Sequence, residues 1–468
     1  MPQNDDMKEA VHTGWIRPLT RGAGPRYLQI ADLIGQAVQA GTLAAGDQIP
    51  PQRWLASRLG VDLTTVTRAY TEARNRGLIA SFSGRGSFIA GQAAPAGRER
   101  IDLTMNIPPQ PAGGGMAARV QAGIAEVLER QGIEALSRYQ DDAAGSSAAQ
   151  AGQAWLRPAL GALAGQAPIL CAGSQAGLFG VLMSAARRGE AVLCEPLTYP
   201  GFLLAVRQLG LRAVGVASDA EGVVPDAIER CHRETGARLI YLNPTLQNPT
   251  AQTMPEGRRK DVAAVLQRLG MTLVEDDPYR YLLNDAPPPL ATLTGGERTY
   301  YLASLSKCVW PSLRTSFLLP PRGESSIPLQ ESLRACSMGC SGLLTALSEQ
   351  WIRSGVARQL SLEVQREARA RQTLARSILP KAAQAHPSGI HVWLPLPAHW
   401  NQHLFVHALE QQGILVASAD SFGVEAESGD AVRISIGGAA SQAELARALQ
   451  QIAALLEEDR RRSSRAIV

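Results

Sequence analysis

The sequence predicts an α/β protein with a mainly parallel sheet, preceded by a small winged helix-turn-helix. Three observations carry this. From Ile101 onward, apolar strand-like runs alternate with helical segments, the pattern of a sheet built from β-α-β units. Upstream, three short helical patterns are followed by two strand-like runs around a tight turn. Between the two lies a stretch rich in Ala, Gly and Pro without periodicity, which reads as a linker. The expected layout is an N-terminal extension (1–24), a winged helix-turn-helix module (25–91), a linker (92–100) and a large domain (101–468) with a smaller C-terminal α+β subdomain.

Composition narrows the function classes. The chain of 468 residues has room for two or three domains, and 45% apolar with 19% charged residues is ordinary for a globular protein. The net charge of +4 is too small to make the whole chain a polycation, so any nucleic-acid binding must come from a local basic face. No apolar run is long enough to span a bilayer, and the first residues do not read as a signal peptide. Six cysteines lie scattered without CxxC pairs. That spacing argues for reduced thiols in a cytoplasmic protein and against a zinc site or disulfide framework.

In the first module a helical pattern starts after Gly24-Pro25, with Ile30, Leu33, Ile34, Ala37 and Val38 on one face, and Gly41 and Ala45-Gly46 stop it. Pro50-Pro51 opens a second helix carrying Trp54, Leu55 and Leu59, ended by Gly60. A third runs from Leu63 to about Arg76 and is closed by Gly77. Its Leu63, Val66, Ala69, Tyr70 and Ala73 are expected to face inward. Thr64, Thr65, Thr67 and Arg68 are left to face out, toward phosphates and base edges of a major groove. Leu78–Phe82 and Ser87–Ile89 form the hairpin, and Arg85 in Ser83-Gly84-Arg85-Gly86 sits at its tip, placed for a backbone or minor-groove contact. Residues 1–24 read as irregular, with Trp15 and Pro18 as the contact points.

These stretches resemble the GntR-type DNA-binding domain. Ile49-Pro50-Pro51-Gln52-Arg53-Trp54-Leu55-Ala56, Gly60-Val61, Thr64–Tyr70 and Gly84-Arg85-Gly86 stand at its motif positions. The resemblance implies contacts to double-stranded operator DNA for Arg53, Thr65, Arg68 and Arg85.

In the large domain the organising stretch is Ser304-Leu305-Ser306-Lys307, with Arg314 seven residues past the lysine. Only four lysines stand against forty-two arginines. A lysine kept at this place therefore points to an amine that can lose its proton and condense with an aldehyde. Serine hydroxyls and a guanidinium suit a phosphate monoester, and together they suggest pyridoxal phosphate; a Ser-rich surface loop is the bland alternative. Four loops at strand ends add to this. Gly173-Ser174-Gln175 opens a helix and can hold a phosphate. Tyr199, between turn residues, could stack on a planar ring. Asn248 precedes a proline, and its amide can donate to a phenolate. Glu275-Asp276-Asp277 follows an apolar strand, where three carboxylates would repel one another in a core, and a carboxylate there can keep a pyridine nitrogen protonated.

Taken in this order, the five loops resemble the fold-type I aminotransferases over roughly residues 101–455. The resemblance implies pyridoxal 5'-phosphate as cofactor and Lys307 as its Schiff-base partner. Asp276 would face the ring nitrogen, Asn248 and Tyr279 the phenolate oxygen, and Tyr199 the ring face. Ser174, Gln175, Ser304, Ser306 and Arg314 would line the phosphate pocket. Arg433, in an edge-like strand Ala431–Ile436, matches the arginine that grips a substrate carboxylate by a bidentate fork. Tyr139 resembles the tyrosine that reaches the partner subunit's phosphate, which implies a homodimer. Ala251 and Ser312 replace glycines common in the family without removing a reacting group.

A GntR-type head on a fold-type I aminotransferase domain is the layout of the MocR family of transcription regulators, which the chain resembles over nearly its full length. Gly389-Ile390-His391 is similar to a Gly-Leu-His stretch of that family. The resemblance implies a regulator whose amino acid or amine effector forms an external aldimine with the cofactor. Losing the Lys307 linkage would rearrange the subdomains and reposition the DNA-binding heads, provided the effector prefers one arrangement. A working aminotransferase with a DNA-binding appendage is the alternative, since the residues for transamination are present, and a DNA-binding dimer that keeps its cofactor for stability alone is a third.

Overall fold

The computed structural model describes residues 13–20, 24–43, 47–76, 78–82, 86–89, 100–110, 115–138, 145–424 and 429–458. The chain divides into two compact units, Met1–Glu99 and Arg100–Val468.

The first unit contains α1 (Arg26–Gln39), β1 (Gln48–Ile49), α2 (Gln52–Leu59), α3 (Leu63–Asn75), β2 (Ile79–Phe82) and β3 (Gly86–Ile89). Pro25, in an extended conformation, precedes α1, and Gly60 takes a left-handed φ of 63° to end α2, a conformation that costs glycine least. Ile30 and Ile34 from α1, Leu55 from α2, and Val66, Ala69 and Tyr70 from α3 close one core. Within it the Tyr70 hydroxyl donates to the Pro50 carbonyl at 2.6 Å, tying α3 to the start of α2. The hairpin pairs Ile79 with Ile89 and Phe82 with Gly86. β1 adds a third strand, Gln48 opposite Phe88, too short to show any period in the sequence.

Two expectations need correction here. Leu63 is 41% exposed, because the buried stripe of α3 begins a turn later at Val66. Trp15 belongs to the core at 4% exposure, with Ile16 and Leu19 packed beside it, so part of the supposed extension is structural. The Gln29 side chain fixes that segment: its Oε1 accepts from the Thr20 backbone at 3.0 Å, and its Nε2 donates to the Thr20 and Gly24 carbonyls. Ala45-Gly46, Gly77, and Ser83 to Arg85 at the wing tip lie outside the described residues.

The second unit opens with β4 (Ile101–Asp102) and is built on a seven-stranded sheet. Its strands include β5 (Ile169–Cys171), β6 (Ala191–Cys194) and β7 (Arg212–Gly215), and a two-stranded ribbon of β8 (Ser218–Asp219) and β9 (Gly222–Val223) branches off before β10 (Leu239–Leu242), β11 (Thr272–Asp276), β12 (Thr299–Ser304) and β13 (Ser316–Leu319). The order is β5-β13-β12-β11-β10-β6-β7, parallel except for β13, which runs against both neighbours. β6 and β10 are buried at every position, as expected where helices cover both faces.

A second sheet, in the C-terminal part, joins β14 (His391–Pro395), β16 (Ala417–Ser418) and β17 (Ala431–Ser435) in the order β14-β17-β16. The strand read as edge-like is therefore central, and Arg433 pairs with Trp393 on one side and Ala417 on the other. β15 (Ile414–Leu415) pairs with β4 in parallel, Ile414 opposite Ile101. The start of the unit is thus strapped to its C-terminal part, and Ser435 donates its backbone N–H to the Leu103 carbonyl at 2.9 Å. Gly437 and Gly438 permit the strap. A Cβ on Gly437 would collide with the Ile107 carbonyl, and one on Gly438 with that of Asp102.

Candidate functional site

The carboxyl ends of β6, β10, β11 and β12 deliver Glu195, Asn243, Asp276 and the Lys307 turn to one region, the usual ligand side of such a sheet. After β12 the chain turns tightly: Ser306 donates its N–H to Ser304 Oγ at 3.0 Å, and Val309 to the Leu305 carbonyl at 2.8 Å. Lys307 Nζ then reaches the Asn106 carbonyl at 2.6 Å. Burial lowers its pKa to about 8, with Arg433 and Arg314 adding to the effect and Asp276 opposing it. Lys307, Asp276, Arg314 and Arg433 therefore act on one another.

The three consecutive carboxylates split between two environments, Asp276 in one and Glu275 with Asp277 in the other, where burial first and then the Asp277 charge raise Glu275 to about 7. Glu275 accepts from the backbone N–H groups of Leu290 and Ala291 at 2.9 and 2.7 Å and lies 3.8 Å from Arg259. Asp277 accepts from the Tyr301 hydroxyl at 3.0 Å and faces Arg280 at 3.6 Å. Asp276 Oδ2 accepts from the Tyr241 hydroxyl at 2.8 Å, whereas its buried Oδ1 has no protein partner among the described residues. Burial raises Asp276 to about 7. The alternating pleat accounts for the sorting, since neighbours in a strand point to opposite faces.

Around Lys307 a polar network fixes the remaining side chains. Asn106 Nδ2 donates to the Tyr279 hydroxyl at 3.1 Å and sits 3.1 Å from His391 Nδ1. His391 Nε2 is 3.1 Å from the Gln247 carbonyl, which places the ring proton on Nε2. Burial, with Arg433 adding to it, drives the His391 pKa down to about 3, so the ring is neutral. Arg433 donates from one terminal nitrogen to Asn248 Oδ1 at 2.8 Å and from the other to the Thr104 carbonyl. Its buried Nε has no protein partner among the described residues, and the guanidinium lies 4.9 Å from the Phe422 ring centre. Burial lowers its pKa to about 10. Tyr199 precedes the helix Pro200–Gln208, and burial first, then Asp276, raises its pKa.

A cradle of small and basic groups completes the region. Gly173, at φ 88°, ends the turn before the helix Ser174–Ala185, and a Cβ there would meet the Arg314 guanidinium at 2.5 Å. Arg314 itself adopts a left-handed φ of 47° and donates to the Ala172 carbonyl at 3.2 Å. Ser174 Oγ and Ser306 Oγ are buried without protein partners among the described residues. Gln175 donates to the Gly201 carbonyl at 2.8 Å. Hydroxyls, helix N–H groups and a guanidinium in this arrangement fit a phosphate. With the partnerless Asp276 Oδ1 and the Lys307 amine, the donor set fits pyridoxal phosphate.

In the first unit Arg53, Thr64, Thr67 and Arg68 are exposed and Thr65 is half-buried. Thr67 Oγ1 donates to Gln52 Oε1 at 2.8 Å, and Arg68 lies 4.4 Å over the Tyr27 ring, which holds the outer face of α3 to the starts of α2 and α1. Arg85 and Tyr139 lie outside the described residues. Sequence reasoning missed Asn106, Tyr241 and Glu195. Tyr241 reads only as a strand residue, and Asn106 is 201 positions from the lysine it touches. The single hint was Pro108-Pro109 after Asn106, a sign of fixed extended backbone.

Comparison with known proteins agrees with this division. Residues 26–89 match the model of the bacterial regulatory proteins of the gntR family. Residues 98–452 match that of the aminotransferases of class I and II. A vitamin B6 salvage pathway transcriptional repressor of Salmonella typhimurium, PtsJ, is 30% identical over 86% of this chain and 92% of its own. An uncharacterized HTH-type transcriptional regulator of Bacillus subtilis, YdfD, is 25% identical over 93% and 97%. Among solved structures, an α-aminoadipate aminotransferase of Thermus thermophilus superposes with a TM-score of 0.68 at 22% identity, covering 83% of this chain and 98% of that one. A multiple substrate aminotransferase of Thermococcus profundus gives 0.69 at 18% identity, covering 78% and 93%.

Proposed function

Since the chain belongs to the MocR family, a GntR-type head joined to a class I and II aminotransferase domain, we propose that it is a transcription regulator that senses an amino acid or amine. The observation that carries this reading is the coexistence of an exposed recognition face on α3 with a Lys307 amine held near neutrality. An enzyme has no use for the first, and an ordinary DNA-binding domain has none for the second.

Pyridoxal phosphate, when bound, supplies an aldehyde that condenses with amines and a ring that accepts electrons. With a pKa near 8, roughly a tenth of Lys307 is free amine at pH 7, enough to react and to be replaced by an effector amine. Asp276 Oδ1 would hold the ring nitrogen protonated, with Tyr241 orienting the carboxylate from its other oxygen. The Tyr279 hydroxyl accepts from Asn106 and keeps its own proton to donate to the phenolate oxygen. Asn248 would share that oxygen, and Tyr199 would cover the ring. Ser174, Gln175, Ser304, Ser306 and Arg314 would hold the phosphate. Arg433, buried and already braced by Asn248 and Thr104, would take an effector carboxylate. The assembly is a homodimer, with Tyr139 of each chain serving its partner, and the setting is cytoplasmic; no helix among the described residues is long and apolar enough to cross a membrane.

The test is an absorbance titration of the pyridoxal phosphate-loaded protein with a panel of amino acids and amines, assayed in parallel for keto acid and for DNA binding. A lasting spectral change without keto acid, coupled to altered DNA affinity, is expected. Many turnovers of keto acid with no effect on DNA binding would overturn the sensor reading in favour of an aminotransferase. Retained transamination is the second reading, favoured by the near-neutral Lys307 amine, since proton transfer works best at such a pKa.

A further inference from the structure

Outside the recognition face, the first unit carries a second basic feature. The segment 16–20, the first residue of α1, and the turn after α2 line an open cavity of about 460 Å³ that includes Arg17, Arg26 and Arg58, with Gly60 and Val61 beside them. All three arginines are exposed, and among the described residues none takes part in an ion pair. The surroundings are built rather than loose. Trp15 anchors the segment in the core, and Gln29 clamps its end to α1 through three hydrogen bonds. Arg58 lies in the last turn of α2, which the left-handed Gly60 ends, and both line the cavity.

Three guanidiniums around one cavity, with no carboxylate among the described residues that line it, repel one another unless an anion joins them. Planar N–H forks match the tetrahedral oxygens of a phosphate. The pocket begins at Arg26, next to Tyr27, whose ring carries the outward-facing Arg68 of α3. One of its three arginines thus stands next in the chain to the residue on which Arg68 of the proposed recognition face rests. Between residues 13 and 89 nine arginines stand against four carboxylates, which gives this unit the local positive charge that the whole chain lacks.

We propose that the Arg17–Arg26–Arg58 pocket is a phosphate site that seats a backbone phosphate of the bound DNA, beside the contacts of α3. It rests on the DNA-binding reading of the module and extends it to a segment lying before the matched family region. A backbone phosphate carries no sequence information, so the pocket contributes affinity and register rather than specificity.

The test is fluorescence anisotropy of the full-length, cofactor-loaded protein on two unrelated 40-base-pair duplexes at several salt concentrations. For Arg17→Ala/Arg58→Ala, the slope of log affinity against log salt is expected to shrink by about one, with roughly tenfold weaker binding at low salt on both duplexes. Arg230→Ala/Arg233→Ala removes the same charge from exposed positions in the second unit and is expected to leave the slope unchanged. Equal slope changes in both double variants, or none in either, would overturn the assignment while leaving DNA binding intact. A free-anion site is distinguished by 10 mM inorganic phosphate at matched ionic strength. If it raises the melting temperature of the wild type but not of Arg17→Ala/Arg58→Ala, and the salt slope does not move, the pocket serves a soluble phosphate and not DNA. If the wild type binds no duplex, the regulator reading itself fails, and the pocket's role on DNA with it.

Discussion

The working groups of the two units sit in opposite environments. In the first, Arg53, Thr64, Thr67 and Arg68 stand in water, tuned by where the helices place them and screened by salt. In the second, Lys307, Asp276, His391 and Arg433 are enclosed, and burial is the leading cause of every shift in their proton affinity. Recognition of a polyanion needs permanent charge at a surface. Covalent capture of an aldehyde needs an amine that can lose its charge, and only desolvation or neighbouring cations make lysine do so near neutrality. One chain therefore uses arginine where the charge must persist and its rare lysine where it must not.

Substitutions can break this contrast, and the largest effect is expected at Lys307. Lys307→Ala should abolish borohydride-fixable pyridoxal phosphate, read as loss of the cofactor mass from the intact protein, while DNA affinity without effector stays within about twofold. Next is Trp15→Ala, which removes a nearly buried indole from the small core of the first unit. About 3 kcal/mol or more of that unit's stability should go, seen as an earlier melting transition with cofactor binding preserved. If Trp15→Ala melts like the wild type, the segment 13–20 is not part of the folded module.

A smaller effect with a definite sign is expected at Glu195. Burial raises this carboxyl from 4.5 to about 7, so the folded protein holds its proton where the unfolded chain has released it. Its contribution to stability is full below about pH 4.5 and is lost as pH rises through 7. Glu195→Gln keeps an oxygen to accept the Asn243 N–H, which now lies 2.8 Å from Oε1. It should be more stable than the wild type by about 3 kcal/mol at pH 8 and nearly the same at pH 4.5. Urea titrations at the two pH values check both.

Capture of pyridoxal phosphate by the apo-protein should accelerate up to tenfold per pH unit below about 8 and level off above it, following the free Lys307 amine. Arg433→Met, by removing the second contributor to that lowered pKa, should move the midpoint upward in stopped-flow absorbance. The smallest effect is expected from Arg68→Ala, about tenfold weaker binding to operator DNA at low salt, shrinking as salt rises. A salt-independent loss would mean that Arg68 acts by holding Tyr27 rather than by meeting DNA.

Sequence made the two-part architecture legible because both parts depend on local signals. Glycines and prolines bound the three helices of the head, and apolar strands in the large unit end in Gly-Ser, Asn-Pro or consecutive carboxylates. Residues whose role is set by distant partners were not legible. Asn106 matters through Lys307, Tyr279 and His391, none of them near it in the chain. Trp15 could be seen as a contact point but not as core, since a lone tryptophan in a polar stretch has no period to mark its face. Arg433 was recognisable by its neighbours in β17, yet its central place in the sheet depends on β16, only two residues long.

The two glycines at the end of β17 have a mechanical meaning. They let the first residues of the large unit lie flat along its C-terminal part, so Asn106 arrives at Lys307 from a strand that starts at Ile101. Only five residues lie between Asn106 and Arg100, where the second unit begins, a span of about 20 Å at full stretch. Chemistry that consumes the Lys307 amine therefore removes a donor from the first residues of the unit.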